Sequence, residues 1–296
     1  MGALKKVLLP LTDPAHAAPY LKLGTALLSP EGKILALGVV RVPEESSLSE
    51  GAEEAPDYRA LLEELAAKFS DERVELKTLV RVSHRLSEGI SETAREEGCD
   101  LVLLPWKGYT ASEDRLFGST IDRILEQPPC AIMVARADDL SSCRSILLPV
   151  RGGPYAEYAL EIVEWLAGAF GAEVTVLHCQ PVASGVPFDD RGYRSFLRKL
   201  RLYPQVRRML TVHGNPHDAI IEEATEHDLV VVGAGGTTEP AGSFLGPLVD
   251  RVAREMRKPL LVVKTRQPYL SGGAAQVPVR KGRQMVCREH VSSRGI

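Results

Sequence analysis

Asp100-Leu101-Val102, Gly108, Gly118 and Asp122-Arg123 return 128 residues further on as Asp228-Leu229-Val230, Gly236, Gly246 and Asp250-Arg251. A recurrence in register over so many positions means that the chain carries one module twice. The repeated piece is an apolar strand, a glycine-spaced loop and a helix start. That is the local geometry in which backbone N–H groups collect around a phosphate. Upstream landmarks agree, since Leu8-Leu9-Pro10 is matched by Leu147-Leu148-Pro149 at an offset of 139. The first copy therefore holds the extra residues between these landmarks. The acidic stretch from Glu44 to Asp57, which has no counterpart of like composition, is the place for them.

Both copies read as alternating strands and helices. In the first, apolar runs at 7–10, 33–40, 74–80, 101–104 and 131–135 predict strands, with helices expected over 16–28, 58–69, 86–97 and 119–126. In the second, strands are predicted at 145–149, 173–179, 206–212, 229–232 and 259–263, with helices from about 156, 192, 216 and 246. Asn215 followed by Pro216 is a helix start, with a capping side chain and a ring suited to the first turn. Runs of consecutive apolar residues such as Leu229 to Val232 belong to strands covered on both faces. This alternation implies βαβ crossovers and an open, doubly wound parallel sheet, whose ligands sit beyond the carboxyl ends of the strands.

Residues 1–137 and 144–264 make up the two domains. Residues 265–296, carrying Gly272-Gly273 and no apolar periodicity, form a basic tail expected to be disordered. A net charge of -3 on 296 residues gives no bias toward polyanions, so no specific nucleic-acid partner is expected. No apolar run reaches the length of a membrane span, and Met1 to Asp13 leads straight into a strand. No membrane insertion and a cytoplasmic location follow as expectations. Cys99, Cys130, Cys143, Cys179 and Cys287 are odd in number and form no C-x-x-C pair, as expected of reduced thiols. His213 and His217 stand four apart, but Gly214-Asn215-Pro216 makes a turn between them and no further ligand is spaced to join, so no metal site is expected.

The chemical signal lies in the pattern Gly-x2-Gly-x9-Gly-(Ser/Thr), from the fourth strand to the last helix of each copy. Neither copy is complete. The first keeps Gly108, Gly118 and Ser119 but has Pro105 in place of the first glycine. The second keeps Gly233, Gly236 and Gly246 but has Pro247 in place of the hydroxyl residue, losing an N–H as well as a hydroxyl. Trp106, directly after Pro105, is placed to fill the space that a nucleotide would need.

These motifs, together with Gly214-Asn215-Pro216 and the paired last strands, resemble the universal stress protein family in both copies, from Lys5 to Arg136 and from Arg144 to Lys264. The resemblance implies two tandem Rossmann-like domains, related to the adenine-nucleotide α-hydrolase fold, each with five parallel strands in the order 3-2-1-4-5. It also implies an intramolecular pseudo-dimer formed through the last strands, with further homodimerisation left open. Some members bind ATP through the glycine loop and others have lost it. The function implied is stress-response regulation through protein contacts and not enzymatic catalysis.

Carried over, a site for ATP or another adenine nucleotide in domain 1 uses Asp13, Val39, Gly108, Gly118 and Ser119, with Mg2+ present only alongside the nucleotide. A degenerate counterpart in domain 2 uses Gly152, Cys179, Gly233, Gly236 and Gly246, with Gly152 in the place of the aspartate. Read locally, Asp13 is also suited to capping the first helix. No Gly-x-Ser-x-Gly elbow surrounds Ser119, so no catalytic residue is assigned. A narrower resemblance, in Pro105-Trp106-Lys107-Gly108 and Arg151-Gly152-Gly153-Pro154, is to universal stress domains fused behind amino acid permeases. It implies a second role, as a nucleotide-free regulatory or scaffolding partner of a membrane transporter.

Overall fold

The structure, a computed structural model, describes residues 3–69, 74–108, 116–137, 139–180, 191–234, 245–265 and 286–289. The chain divides into two compact units, Met1–Asp139 and Leu140–Ile296. Unit 1 contains β1 (Leu4–Pro10), α1 (Ala18–Leu27), β2 (Leu28–Arg41), α2 (Ala55–Lys68), β3 (Glu75–Ser83), α3 (Leu86–Glu96), β4 (Leu101–Pro105), α4 (Ser119–Glu126) and β5 (Ala131–Arg136). Unit 2 contains β6 (Ser145–Val150), α5 (Pro154–Phe170), β7 (Glu173–Gln180), α6 (Arg191–Leu200), β8 (Val206–His213), α7 (Pro216–Ala224), β9 (Leu229–Gly233), α8 (Pro247–Glu255) and β10 (Leu260–Lys264).

Within unit 1, β2 pairs in parallel with both β1 and β3, and β4 with both β1 and β5. Unit 2 repeats this through β7 with β6 and β8, and β9 with β6 and β10. Each unit therefore has the strand order 3-2-1-4-5. The central strands explain it. Val7, Leu8 and Leu9 in β1, and Leu101, Val102 and Leu103 in β4, are fully buried at consecutive positions, which requires cover on both faces. Each such side chain contributes about 1.5–3 kcal/mol on burial.

The repeated aspartates have a structural role. Asp100 Oδ2 accepts from the backbone N–H groups of Lys5 at 2.7 Å and Lys6 at 2.9 Å. Asp228 Oδ2 accepts in the same way from Arg144 at 2.8 Å and Ser145 at 3.0 Å. Each carboxylate ties the start of the fourth strand of its unit to the start of the first, at the end of the sheet away from the glycine loop.

Two elements differ from expectation. β2 begins at Leu28, directly after α1, because Leu28 is buried and pairs with Leu4 before a register shift brings Lys33 opposite Lys6. In the tail, Val286–Glu289 forms a strand, β11, parallel to β8. The open edge of β8 supplies unpaired N–H and C=O groups that such a segment satisfies.

One half-buried carboxyl makes unit 2 sensitive to pH. Burial pushes Glu164 of α5 up to about 7, and Tyr203 beside it is pushed up to about 12 by burial and the charges of Glu161 and Glu164. The Gln205 carboxamide donates to the Glu164 carboxyl. A carboxyl whose folded value lies above its unfolded value favours the folded state when protonated, and that contribution is lost as pH rises through about 7. Between about pH 5 and about pH 8 the melting temperature of the wild type should therefore fall further than that of Glu164→Gln. Equal slopes in a thermal melt series would refute this.

Candidate functional site

In the order 3-2-1-4-5 the sheet reverses its winding between the first and fourth strands, and a crevice opens there at the carboxyl ends. In unit 1 this place holds a cavity of about 650 Å3. Asp13, Val39, Gly118 and Ser119 line it. Gly108 does not, although a Cβ added to it would lie 3.9 Å from Cδ of Arg136, which does.

The helix end at this cavity is built for close approach. Gly118 has φ 93° and ψ 163°, a conformation open to glycine, and α4 starts at the next residue. The first bond to the helix entry runs from Asp122 N to Gly118 O, at 3.0 Å. The amides of Ser119, Thr120 and Ile121 thus have no carbonyl of their own helix to bond, and all three residues line the cavity. Asp122 steadies the turn by accepting from Phe117 N at 3.4 Å.

Across the cavity, Asp13 does not cap α1, whose N-cap position is Ala17. Asp13 instead closes the short turn Pro14–His16, accepting from Ala15 N at 3.2 Å. His16 Nδ1 lies 2.7 Å from its Oδ2 and Lys107 Nζ 3.4 Å away. Hydrogen bonding from His16 first, then from Lys107, holds the Asp13 carboxyl below its ordinary range.

Trp106 is a wall of the cavity and does not fill it. Its indole is 3% exposed, makes an edge-to-face contact with Phe117 at 4.7 Å, and lies beneath the Arg136 guanidinium at 4.9 Å. The buried Nε1 finds no acceptor among the described residues, a state that costs about 1–3 kcal/mol. Trp106 N continues the sheet by donating to Ala135 O at 2.8 Å. Lys107, Arg136 and His16 belong to the cavity lining as well. The signal was available in the topology, because residues following β1, β4 and β5 emerge at the same end of the sheet.

The corresponding residues of unit 2 are packed differently. A Cβ on Gly152 would lie 2.4 Å from Tyr193 N, so the loop after β6 rests directly on the backbone of α6. Tyr193 stacks on His178 at 3.5 Å, next to Cys179, whose thiol burial pushes up. A Cβ on Gly233 would meet Tyr155 O at 2.9 Å. Gly246 has φ 90° and leads into α8, but Pro247 brings no N–H there. Gly236 lies outside the described residues. Gly152 and Gly233 thus serve close packing within the fold. His217 is likewise structural: it is buried, with Nδ1 2.9 Å from Asp218 and Nε2 3.2 Å from Glu255. Among the described residues no cluster suited to a metal ion occurs, and no helix is long and apolar enough to cross a membrane.

Two doubly wound domains of identical strand order, one with an open crevice at its reversal point, define a tandem Rossmann-like protein. The sequence profile of the universal stress protein family matches residues 3–136 and 143–264, and the chain belongs to that family. Among curated relatives, it is 25% identical over 258 residues to the Na(+)/H(+) antiporter NhaS5 of Synechocystis, spanning 84% of this chain and 37% of the antiporter. It is 26% identical over 186 residues to a universal stress protein of Mycolicibacterium smegmatis, spanning 57% of this chain and 63% of that one. The match thus spans less than two thirds of either relative. A universal stress protein of Archaeoglobus fulgidus shares the fold with a TM-score of 0.63 at 17% identity, covering 88% of this chain and 98% of that one.

The packing of unit 2 predicts that restoring a side chain at the aspartate position will not restore a site. Gly152→Ala should destabilise the protein by more than about 2 kcal/mol in urea denaturation, through backbone collision. Gly153→Ala also has positive φ but meets nothing within 4 Å, and should cost about 1–2 kcal/mol. A smaller loss at Gly152 than at Gly153 would contradict the packing.

Proposed function

We propose that unit 1 binds an adenine nucleotide in its crevice, and that the chain acts as a nucleotide-responsive regulatory protein without catalysing a reaction. The observation that carries this reading is the convergence of Asp13, Val39 and the open amides after Gly118 on one cavity of about 650 Å3, a size typical of small-molecule sites. An ionised Asp13 suits the acceptance of hydrogen bonds from sugar hydroxyls. The apolar ends of β1 and β2, at Pro10, Leu37 and Val39, suit one face of a base. The α4 amides and Lys107 suit phosphate oxygens, with Mg2+ entering only alongside a nucleotide.

The non-enzymatic part rests on Asp13, the one carboxylate among the described residues that line the cavity. Its depressed pKa and its ties to His16 and Lys107 make it a poor general base. Isothermal titration with adenine nucleotides should give saturable binding to the wild type. Ser119→Ala should weaken it by about 5- to 10-fold, and Gly118→Val should abolish it. Absence of binding to wild-type protein, or full affinity in Gly118→Val, would exclude the crevice as the site.

A second reading is favoured by the 258-residue match to the Na(+)/H(+) antiporter, in which this chain would serve as a regulatory partner of a membrane transporter. Cross-linking in native membranes should then recover a transporter. Recovery of soluble proteins alone would count against it.

A further inference from the structure

We propose that the chain associates with a second copy of itself through unlike surfaces, the acidic face of α2 in unit 1 of one copy meeting the basic face of α6 in unit 2 of the other.

The charge is segregated along the sequence. Residues 44–64 carry eight Asp or Glu against one Arg, and residues 191–208 carry seven Arg or Lys and no acid. On the duplicated scaffold these are equivalent places, since each segment is centred on the helix between the second and third strands of its unit. The two copies of the module thus differ in sign at a position where the fold requires neither sign.

Each helix presents its charge as a stripe. The inner face of α2 holds the fully buried Leu62, while Asp57, Leu61 and Glu64, at spacing i, i+4 and i+7, are exposed and share the opposite side. Glu53 continues that row beyond the helix start. The inner face of α6 holds Tyr193, Phe196 and Leu200, and Arg194, Arg198 and Arg201 repeat the same spacing on the outside. The turn that follows, with Leu202 N bonded to Lys199 O at 2.9 Å, keeps Arg201 in line with the helix. Seven residues of helical rise make each stripe about 10 Å long. The two match in length and are opposite in charge.

Contacts within each unit do not consume these charges. Glu64 pairs with Lys68 and Glu44 with Arg85, and Lys199 pairs with Glu157. Among the described residues, however, Glu45, Glu53, Glu54, Asp57 and Glu63 reach no cation, and Arg198 and Arg201 reach no carboxylate.

Apolar surface is concentrated in the same places. Of the four large apolar side chains exposed among the described residues, three are Leu48, Leu61 and Leu202. Leu61 stands inside the acidic row, Leu48 in the segment leading to it, and Leu202 directly after Arg201. Leu202 is 56% exposed, the most of the four. Leucines ringed by charge have the make-up of an interface with an apolar centre and a polar rim. Opposite potentials steer the two faces together, and like charge keeps each face from meeting its own copy. Unlike surfaces joined reciprocally close as a dimer, and joined once they extend the assembly.

The test is sedimentation velocity of the whole chain over a range of concentrations. The mass of the wild type should rise reversibly with concentration, and the association should weaken by at least about 10-fold between about 0.05 and about 0.5 M salt. Arg198→Glu with Arg201→Glu should leave the chain monomeric, and so should Glu53→Lys with Asp57→Lys. An equimolar mixture of these two reversed chains should associate again, which a folding defect cannot produce. Leu202→Ser should weaken association by about 5-fold or more while leaving its salt dependence unchanged. If a reversed chain loses its thermal transition, Arg198→Gln with Arg201→Gln tests the same loss. A wild type that stays monomeric, association indifferent to salt, reversed chains that still self-associate, or a mixture that does not recover association overturns the inference. Binding of a monomeric wild type to vesicles of anionic lipid through Arg198 and Arg201 would equally overturn it, by giving the basic face another occupant.

Discussion

The burial of the central strands on both faces is the constraint from which the rest follows. Consecutive apolar residues in β1 and β4 of unit 1, and in β6 and β9 of unit 2, leave no polar face to present to water. Helices must therefore cover both sides, which forces parallel strands and right-handed crossovers. Once the order 3-2-1-4-5 is set, the carboxyl ends beside the reversal point are where the backbone can open to a ligand. The carboxylates of Asp100 and Asp228 lock the opposite end, each joining two strand starts through backbone N–H groups.

The same scaffold appears twice, and the two copies differ where strands pass into helices. Unit 1 has Asp13 beside a cavity that the first three residues of α4 also line. Unit 2 has Gly152 pressed on α6 and Pro247 at its helix start. The two units thus differ at their strand ends with no change in topology. The positive φ of Gly118 and Gly246, 93° and 90°, shows that the turn geometry persists in both copies. Retention of glycine at these positions is evidence of a turn before it is evidence of a ligand.

Much of this was legible in the chain. Helix α4 begins and ends where its residues predict, and Asn215 caps α7 by accepting from His217 N at 3.0 Å. The repeat also disclosed the strand order through the family that it resembles. What the sequence concealed were contacts between residues far apart in it. The indole of Trp106 read as an obstruction because nothing local shows that Phe117 and Arg136 hold it against the wall. The closure of Gly152 depends on the backbone of Gly192 and Tyr193, forty residues away, and no pattern near Gly152 announces it. The strand at Val286–Glu289 escaped notice because its pairing depends on the free edge of β8 and not on its own periodicity.

We propose that unit 1 holds a nucleotide in its crevice and that unit 2, with Gly152 pressed on α6 and Pro247 at its helix start, does not. Equilibrium dialysis of the whole chain against radiolabelled AMP measures this directly. Saturation at one equivalent per chain, lost on substitution of Gly118 and retained on substitution of Gly246, is the result the account predicts. Two equivalents, or one that depends on Gly246, would contradict it.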